Sequence, residues 1–306
     1  MKEHIRSFKK IIPYLREETW ETIQKHPIYG EKIEVPVGDD SVDVYLHPTA
    51  NHHAPVLFEL HGGGFVLGHA AKDDALCEYI KDKRNLHVVG INYRKAPEYA
   101  YPGAIEDVMG VMKYFAKNAD QYGMDCNKFV VMGFSAGANL ATVIAMKAKN
   151  NQDFHIACQI LHYPFLDAVA NPYEKGTHPA DMPCEIMEAF NELYSPEEDR
   201  GLPWISPIFA SSDLLENSAP AIIVTAKEDA LCAEGLLYGE KLKEAGVSVD
   251  CMAMEFAHHG YIEDYFNQFC FENLPEETKA SFHNRFGKAA EEAIQFTMTH
   301  LDEYLK

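Results

Sequence analysis

Four short stretches of this chain hold residues of the types that acyl transfer needs. Ser135 stands between Gly133 and Gly137 in VVMGFSAGANLA, where an apolar strand pattern turns into an apolar helix pattern. A serine hydroxyl is a weak nucleophile at neutral pH, so it needs a base, and the base needs an orienting acid. EFAHHGY offers His258 or His259 as the base, just past a strand pattern. AIIVTAKEDAL offers Glu228 or Asp229 as the acid, also at a strand end. HGGGF, His61 to Phe65, places three glycines after PVLFEL, where bare backbone N–H groups can converge on one point. With the N–H of Ala136, which opens the helix after the serine, they would hold a developing oxyanion.

Each stretch has a plainer reading. G-x-S-x-G alone arises by chance about once in ten chains of this length at ordinary Gly and Ser frequencies. Its placement between VVM and ANLATVIA is what matters: a strand, a sharp turn and a helix are the context of a nucleophile elbow. A glycine run can cradle phosphate, but neither G-x-x-x-x-G-K-[ST] nor G-x-G-x-x-G is present. Paired histidines can bind metal, but no H-E-x-x-H spacing accompanies them. No metal or organic cofactor is expected. The chain order Ser135, Asp229, His259 is that of the α/β-hydrolases.

These residues need a frame. Val42, Val44 and Leu46 alternate with polar residues, as in a half-exposed antiparallel strand. Further strands are expected at 55–60, 86–92, 129–132, 156–161, 221–225 and 247–254. Helices are expected at 71–83, 104–118, 136–149, 233–245 and 284–305. Alternation of this kind predicts a mostly parallel central sheet with helices on both faces. Ile5, Phe8, Ile12 and Leu15 fall at helical spacing and should pack on the body of the protein, with Pro13 breaking or kinking the run. Between Asp167 and Asp213 no strand is evident, and Ile186, Met187, Phe190, Leu193 and Tyr194 share one helical face. An insertion there would form a helical cap over the rim where α/β enzymes place their sites.

Composition narrows the partners. The chain has 306 residues, 47% of them apolar, enough for a single α/β domain over residues 1–306. Its net charge is −20, which disfavours nucleic acid and anionic membrane. Seven cysteines at wide spacings, without C-x-x-C, fit free thiols in a reducing, cytoplasmic compartment. The first 26 residues carry charge of both signs and no apolar stretch of signal-peptide type.

Taken together the motifs resemble those of the hormone-sensitive-lipase-like esterases of the α/β-hydrolase fold, the branch marked by HGGG. The match covers most of residues 40–265. NYRKAPEYAYPGAIED is similar to that family's Y-R-L-A-P-E…P-x-x-x-x-D stretch, and GFSAGANLA to its G-D-S-A-G-G-N-L-A. ILHYPFLD, Ser206–Pro207, VTAKEDAL and HHGY follow in the expected order. The resemblance implies Ser135 as nucleophile, His259 as base and Asp229 as its acid, with Gly63, Gly64 and Ala136 as oxyanion donors. It makes His61 a structural part of its loop and assigns cap elements to about 1–30 and 168–212. The expected activity is hydrolysis of small, short-acyl esters, with C2–C4 acids preferred. Deacetylation of acetylated carbohydrates, a small serine peptidase and a non-catalytic ligand-binding protein on the same fold are the alternatives. Departures are Phe134 for the acid before the serine, Ala138 for Gly, Ala230 for Pro and Tyr261 for Phe. Five cap aromatics, Tyr173, Phe190, Tyr194, Trp204 and Phe209, are candidates for an acyl pocket or for core packing. The stretch FENLPEETKASFHNR is expected to add to the pocket or to a homodimer contact.

Overall fold

The computed structural model describes residues 1–176, 183–267 and 286–306. Eight strands form one sheet in the order β1-β2-β4-β3-β5-β6-β7-β8. They are β1 (Glu31–Val37), β2 (Asp40–His47), β3 (Ala54–Leu60), β4 (His87–Ile91), β5 (Met124–Phe134), β6 (Ile156–His162), β7 (Ala221–Ala226) and β8 (Val249–Met254). β1 pairs antiparallel with β2, and β2 with β4. Every other neighbouring pair is parallel. This is the mostly parallel sheet that the strand–helix alternation implied.

The helices are α1 (Glu3–Ile23), α2 (Asp74–Arg84), α3 (Gly103–Lys117), the single turn α4 (Ala119–Tyr122), α5 (Ala136–Ala148), α6 (Cys184–Tyr194), the turn α7 (Ser212–Leu215), α8 (Cys232–Glu244), α9 (Tyr261–Phe266) and α10 (Lys288–Tyr304). The period-2 alternation of β5 divides its side chains between two cores. Phe129 and Val131 join Val108 of α3 and Leu140 of α5 on one face, while Val130 and Met132 join Leu76 of α2 and Ile294 of α10 on the other. Both faces of the sheet are therefore covered, which explains the near-continuous apolar runs of the central strands.

Three elements depart from the sequence reading. α1 runs unbroken through Pro13. Pro13 lies on the exposed side, so the backbone carbonyl that its missing N–H leaves without a partner is on the solvent side. Ile5, Phe8 and Ile12 are buried on the other side as expected, and Leu15 is half-buried. β5 begins five residues before the apolar run, because Met124 pairs with Ala54 ahead of a bulge. The segment 71–83 divides into a 3-10 turn at Ala70–Lys72 and α2. The stretch 271–285, expected to line the pocket or a dimer contact, lies outside the described residues, as do 177–182 of the expected cap.

The turn from β5 into α5 fixes how closely helix and sheet approach. A β-carbon on Gly137 would stand 1.9 Å from the carbonyl oxygen of Leu60 in β3. One on Gly133 would stand 2.2 Å from the carbonyl group of Gly137. Both obstacles are backbone, so no side-chain rotation relieves them. Gly137→Ala should therefore destabilise by about 3 kcal/mol, the upper end for overpacking, read as a fall in the urea unfolding midpoint; an unchanged midpoint contradicts the close crossing.

The segment after β6 is tied down by a buried ion pair. Lys175 Nζ lies 2.7 Å from Glu234 Oε2 of α8 and 4.8 Å from the centre of the Phe165 ring. Glu234 Oε1 accepts from the Leu166 N–H at 2.7 Å. Burial pushes Glu234 up to about 7, even though Lys175 pulls it down. A carboxyl group that holds its proton more tightly when folded favours folding below its unfolded value of 4.5, and that contribution is lost as pH rises from 4.5 to about 7. Glu234→Gln should flatten this part of the stability curve, so that urea midpoints at pH 5 and pH 8 differ less than in the wild type. An equal or larger difference refutes the assignment.

Candidate functional site

Ser135 occupies the bend between β5 and α5 with φ 53° and ψ −113°. A β-substituted residue rarely adopts that conformation, and holding it costs about 1–3 kcal/mol. The surroundings impose it. The Ser135 N–H donates to the His162 carbonyl at 3.0 Å, and the Ser135 carbonyl accepts from the N–H groups of Asn139 and Phe165, each at 3.2 Å. Asn139, fully buried, donates its amide to the carbonyls of Phe165 and Ile205 at 2.9 and 2.8 Å. One side chain of α5 thus fastens both the segment after β6 and the segment near residue 205 to the elbow.

Phe134 fills the place where the resemblance suggested an acid. Its ring stacks on that of His162, with centroids 4.8 Å apart and planes 12° from parallel. Burial lowers His162 to about 3, so the imidazole is neutral and the packing behind the serine is uncharged.

The glycine loop follows β3. Gly63 and Gly64 have φ of 120° and 61°, and the Gly63 carbonyl accepts from Val66 and Leu67 in a tight turn. His61 is buried, stacks on Tyr93 at 4.2 Å and donates from Nδ1 to the Gly62 carbonyl at 2.7 Å. Burial, reinforced by the Lys95 charge, holds it well below the usual histidine range. It is structural, as the resemblance implied. Arg16 of α1 reaches this loop, donating to the carbonyls of Val66 and Ala96 at 2.9 and 2.5 Å.

Asp229 and His259 meet. His259 Nδ1 donates to Asp229 Oδ2 at 2.8 Å, and Asp229 Oδ1 accepts from the Leu231 N–H at 3.0 Å. His258 faces elsewhere. His258 Nδ1 lies 2.6 Å from the carbonyl of His259, and its ring packs edge-on against Phe286. The carboxylate bound by His259 is that of Asp229 and not Glu228. With Nδ1–H committed to Asp229, the lone pair of His259 is on Nε2, the tautomer a general base requires.

Ser135, Ala136 and Gly64 line one cavity of about 30 Å³ together with Phe65, Phe165, Met187, Phe190 and Leu231. Of the five cap aromatics singled out, only Phe190 lines it. Tyr194 instead stacks on Phe65 at 3.7 Å, Lys147 sits 4.2 Å from the centre of the Trp204 ring, and Tyr173 and Phe209 are exposed. Phe190 packs directly on the glycine loop: a β-carbon on Gly64 would meet its ring at 2.1 Å. Phe190 is in turn braced by Phe8 of α1, centroids 5.7 Å apart.

Sequence reasoning missed two residues. Tyr163 packs edge-on against His259 at 5.1 Å, and its hydroxyl donates to Glu263. Burial and the nearby Asp73 hold the Glu263 carboxyl well above the usual range. The signals were faint: Tyr163 follows β6 directly, and Glu263 lies one turn after His259 in the helix that HHGY opens.

Comparison with known proteins identifies the family. A family model described as alpha/beta hydrolase fold matches residues 57–263. The esterase LipI of Mycobacterium tuberculosis is 32% identical over 250 residues, 78% of each chain. The carboxylesterase NlhH of the same species is 32% identical over 229 residues, covering 73% of this chain and 72% of its own. Among solved structures, a hyperthermophilic esterase from Pyrobaculum calidifontis superposes with a TM-score of 0.78 at 28% identity, over 96% of this chain and 94% of its own. The chain belongs to the alpha/beta-hydrolase fold family, among the esterases related to hormone-sensitive lipase.

Proposed function

We propose that this protein hydrolyses carboxylic esters of small acids through an acyl-enzyme on Ser135. The observation that carries the reading is the 2.8 Å bond from His259 Nδ1 to a buried Asp229, together with a strained serine opening onto its own cavity. Ser135 Oγ attacks the ester carbonyl while His259 Nε2 takes its proton, and Asp229 holds the tautomer and stabilises the imidazolium. The N–H groups of Gly63, Gly64 and Ala136 receive the oxyanion, each worth about 2.7–4 kcal/mol in the transition state. His259 then gives its proton to the leaving alcohol, and water repeats the sequence to release the acid. Tyr163 supports the imidazole from the side and does not react.

The small cavity supports a short-acyl preference. About 30 Å³ has room for roughly two water-sized groups. That favours C2–C4 acids, with Phe190, Met187 and Phe165 as the stop. α1 and the segment containing α6 act as the cap, since Phe8 and the Lys2–Glu188 ion pair join them above the sheet. Six described cysteines stand free, which suits a reducing compartment such as the cytoplasm. Among the described residues no helix is long and apolar enough to cross a membrane.

Ser135→Ala should lower turnover of p-nitrophenyl butyrate by on the order of 10⁶-fold, the scale on which a catalytic unit loses its nucleophile; retention of most activity removes Ser135 from the site. Phe190→Ala should raise the ratio of kcat/KM for hexanoate over acetate esters by about tenfold, equivalent to about 1.4 kcal/mol. An unchanged ratio in a folded variant means that Phe190 does not set the depth of the pocket.

A further inference from the structure

One polar side chain interrupts the apolar lining of the cavity at Ser135. Asn191 of α6 lines it beside Phe165, Met187, Phe190 and Leu231. Apart from Asn191 and Ser135, every lining residue is glycine, alanine, phenylalanine, methionine or leucine. Asn191 is 5% exposed. Its Nδ2 donates to the Ala168 carbonyl at 3.4 Å, long for such a bond. That carbonyl fixes the orientation of the carboxamide, because only the amino end can donate to it. The other end, Oδ1, accepts no hydrogen bond among the described residues.

An amide oxygen withdrawn from water without a donor is costly, and a donor that arrives with the substrate relieves that cost. A leucine side chain, of similar volume, would fill the same place without it. The walls narrow the chemistry of the donor. No carboxylate lines the cavity, so an ammonium group would exchange its water for a single neutral oxygen. A volume of about 30 Å³ is too small for a chain that carries an amide. A hydroxyl is compact, uncharged and has one hydrogen to give.

We propose that Asn191 is a specificity-determining residue whose Oδ1 accepts a hydrogen bond from the hydroxyl of a short hydroxyacyl group, so that the preferred substrates are esters of hydroxy acids of two to four carbons. The proposal rests on the acyl-enzyme reading above and names the class of acid that Ser135 receives. Initial rates by pH-stat on two matched pairs test it: methyl lactate with methyl propionate, and methyl 3-hydroxybutyrate with methyl butyrate. In at least one pair, Asn191→Leu should lower the kcat/KM ratio of hydroxyacyl to plain ester by about tenfold, the scale of one buried hydrogen bond. Comparing the same ratio between two enzymes cancels the intrinsic reactivity of the esters. The wild type alone gives a second reading, which stands even where the variant fails to fold. In that pair its ratio should exceed the ratio for hydroxide-catalysed hydrolysis by about tenfold. Ratios unchanged in both pairs by the folded variant, or wild-type ratios no higher than those with hydroxide, overturn this proposal alone, since the plain esters are still turned over. A wild type inactive on all four esters overturns the acyl-enzyme reading and this proposal with it.

Discussion

The crossing of α5 over β3 and β5 governs everything at the site. With 1.9 Å between a would-be β-carbon on Gly137 and the Leu60 carbonyl, helix and sheet are in backbone contact. The chain leaving β5 must therefore reverse within one residue, and that residue is Ser135 with its positive φ. The helix starts at once, so the Ala136 N–H lacks an intrahelical partner beside the hydroxyl. Leu60 is also the last residue before the HGGGF loop, so the same contact sets the distance from the serine to the glycine amides. Steric exclusion at two glycines thus sets the geometry of Ser135 and of the glycine-loop amides together.

Around that crossing the molecule is built in dependent tiers. β7 and β8 end at the same rim and deliver Asp229 and His259 on short loops, held by the Leu231 N–H and the edge of Tyr163. A second tier, α1 and α6, is fastened to the first by apolar packing and by one polar anchor, Arg16 on the carbonyls of Val66 and Ala96. Burying Ile5, Phe8 and Ile12 adds about 1.5–3 kcal/mol each to holding α1 in place. α6 in turn sets the position of Phe190, which Phe8 of α1 braces.

Much of this was legible in the sequence because the relevant signals are local. Strand–helix alternation, the glycines around Ser135 and the glycine run each constrain neighbours within a few positions. β4, α3 and β7 therefore fell where periodicity put them. Pro13 misled because its effect depends on which side of α1 meets solvent, a tertiary matter. The split of 71–83 turned on how the turn before α2 packs, and the early start of β5 on pairing with Ala54 70 residues earlier. At the site, the choice of Asp229 and His259 needed the resemblance, since Glu228 and His258 have the same local warrant. The pairing of Tyr163 with Glu263 was invisible for the opposite reason: it is a contact across 100 positions, and Glu263 sits in no motif. Of five cap aromatics only Phe190 reached the cavity, because helical phase fixes a face but not what that face meets.

The uncharged backing of the elbow has a broader meaning. Where the resembling motif places an acid, this chain stacks a benzyl ring on a neutral imidazole. Dispersion and ring quadrupoles vary little with salt, whereas an ion pair in that position would be screened or displaced. The packing directly behind Ser135 is thereby held by contacts that the surrounding electrolyte barely touches, in a chain whose net charge is −20.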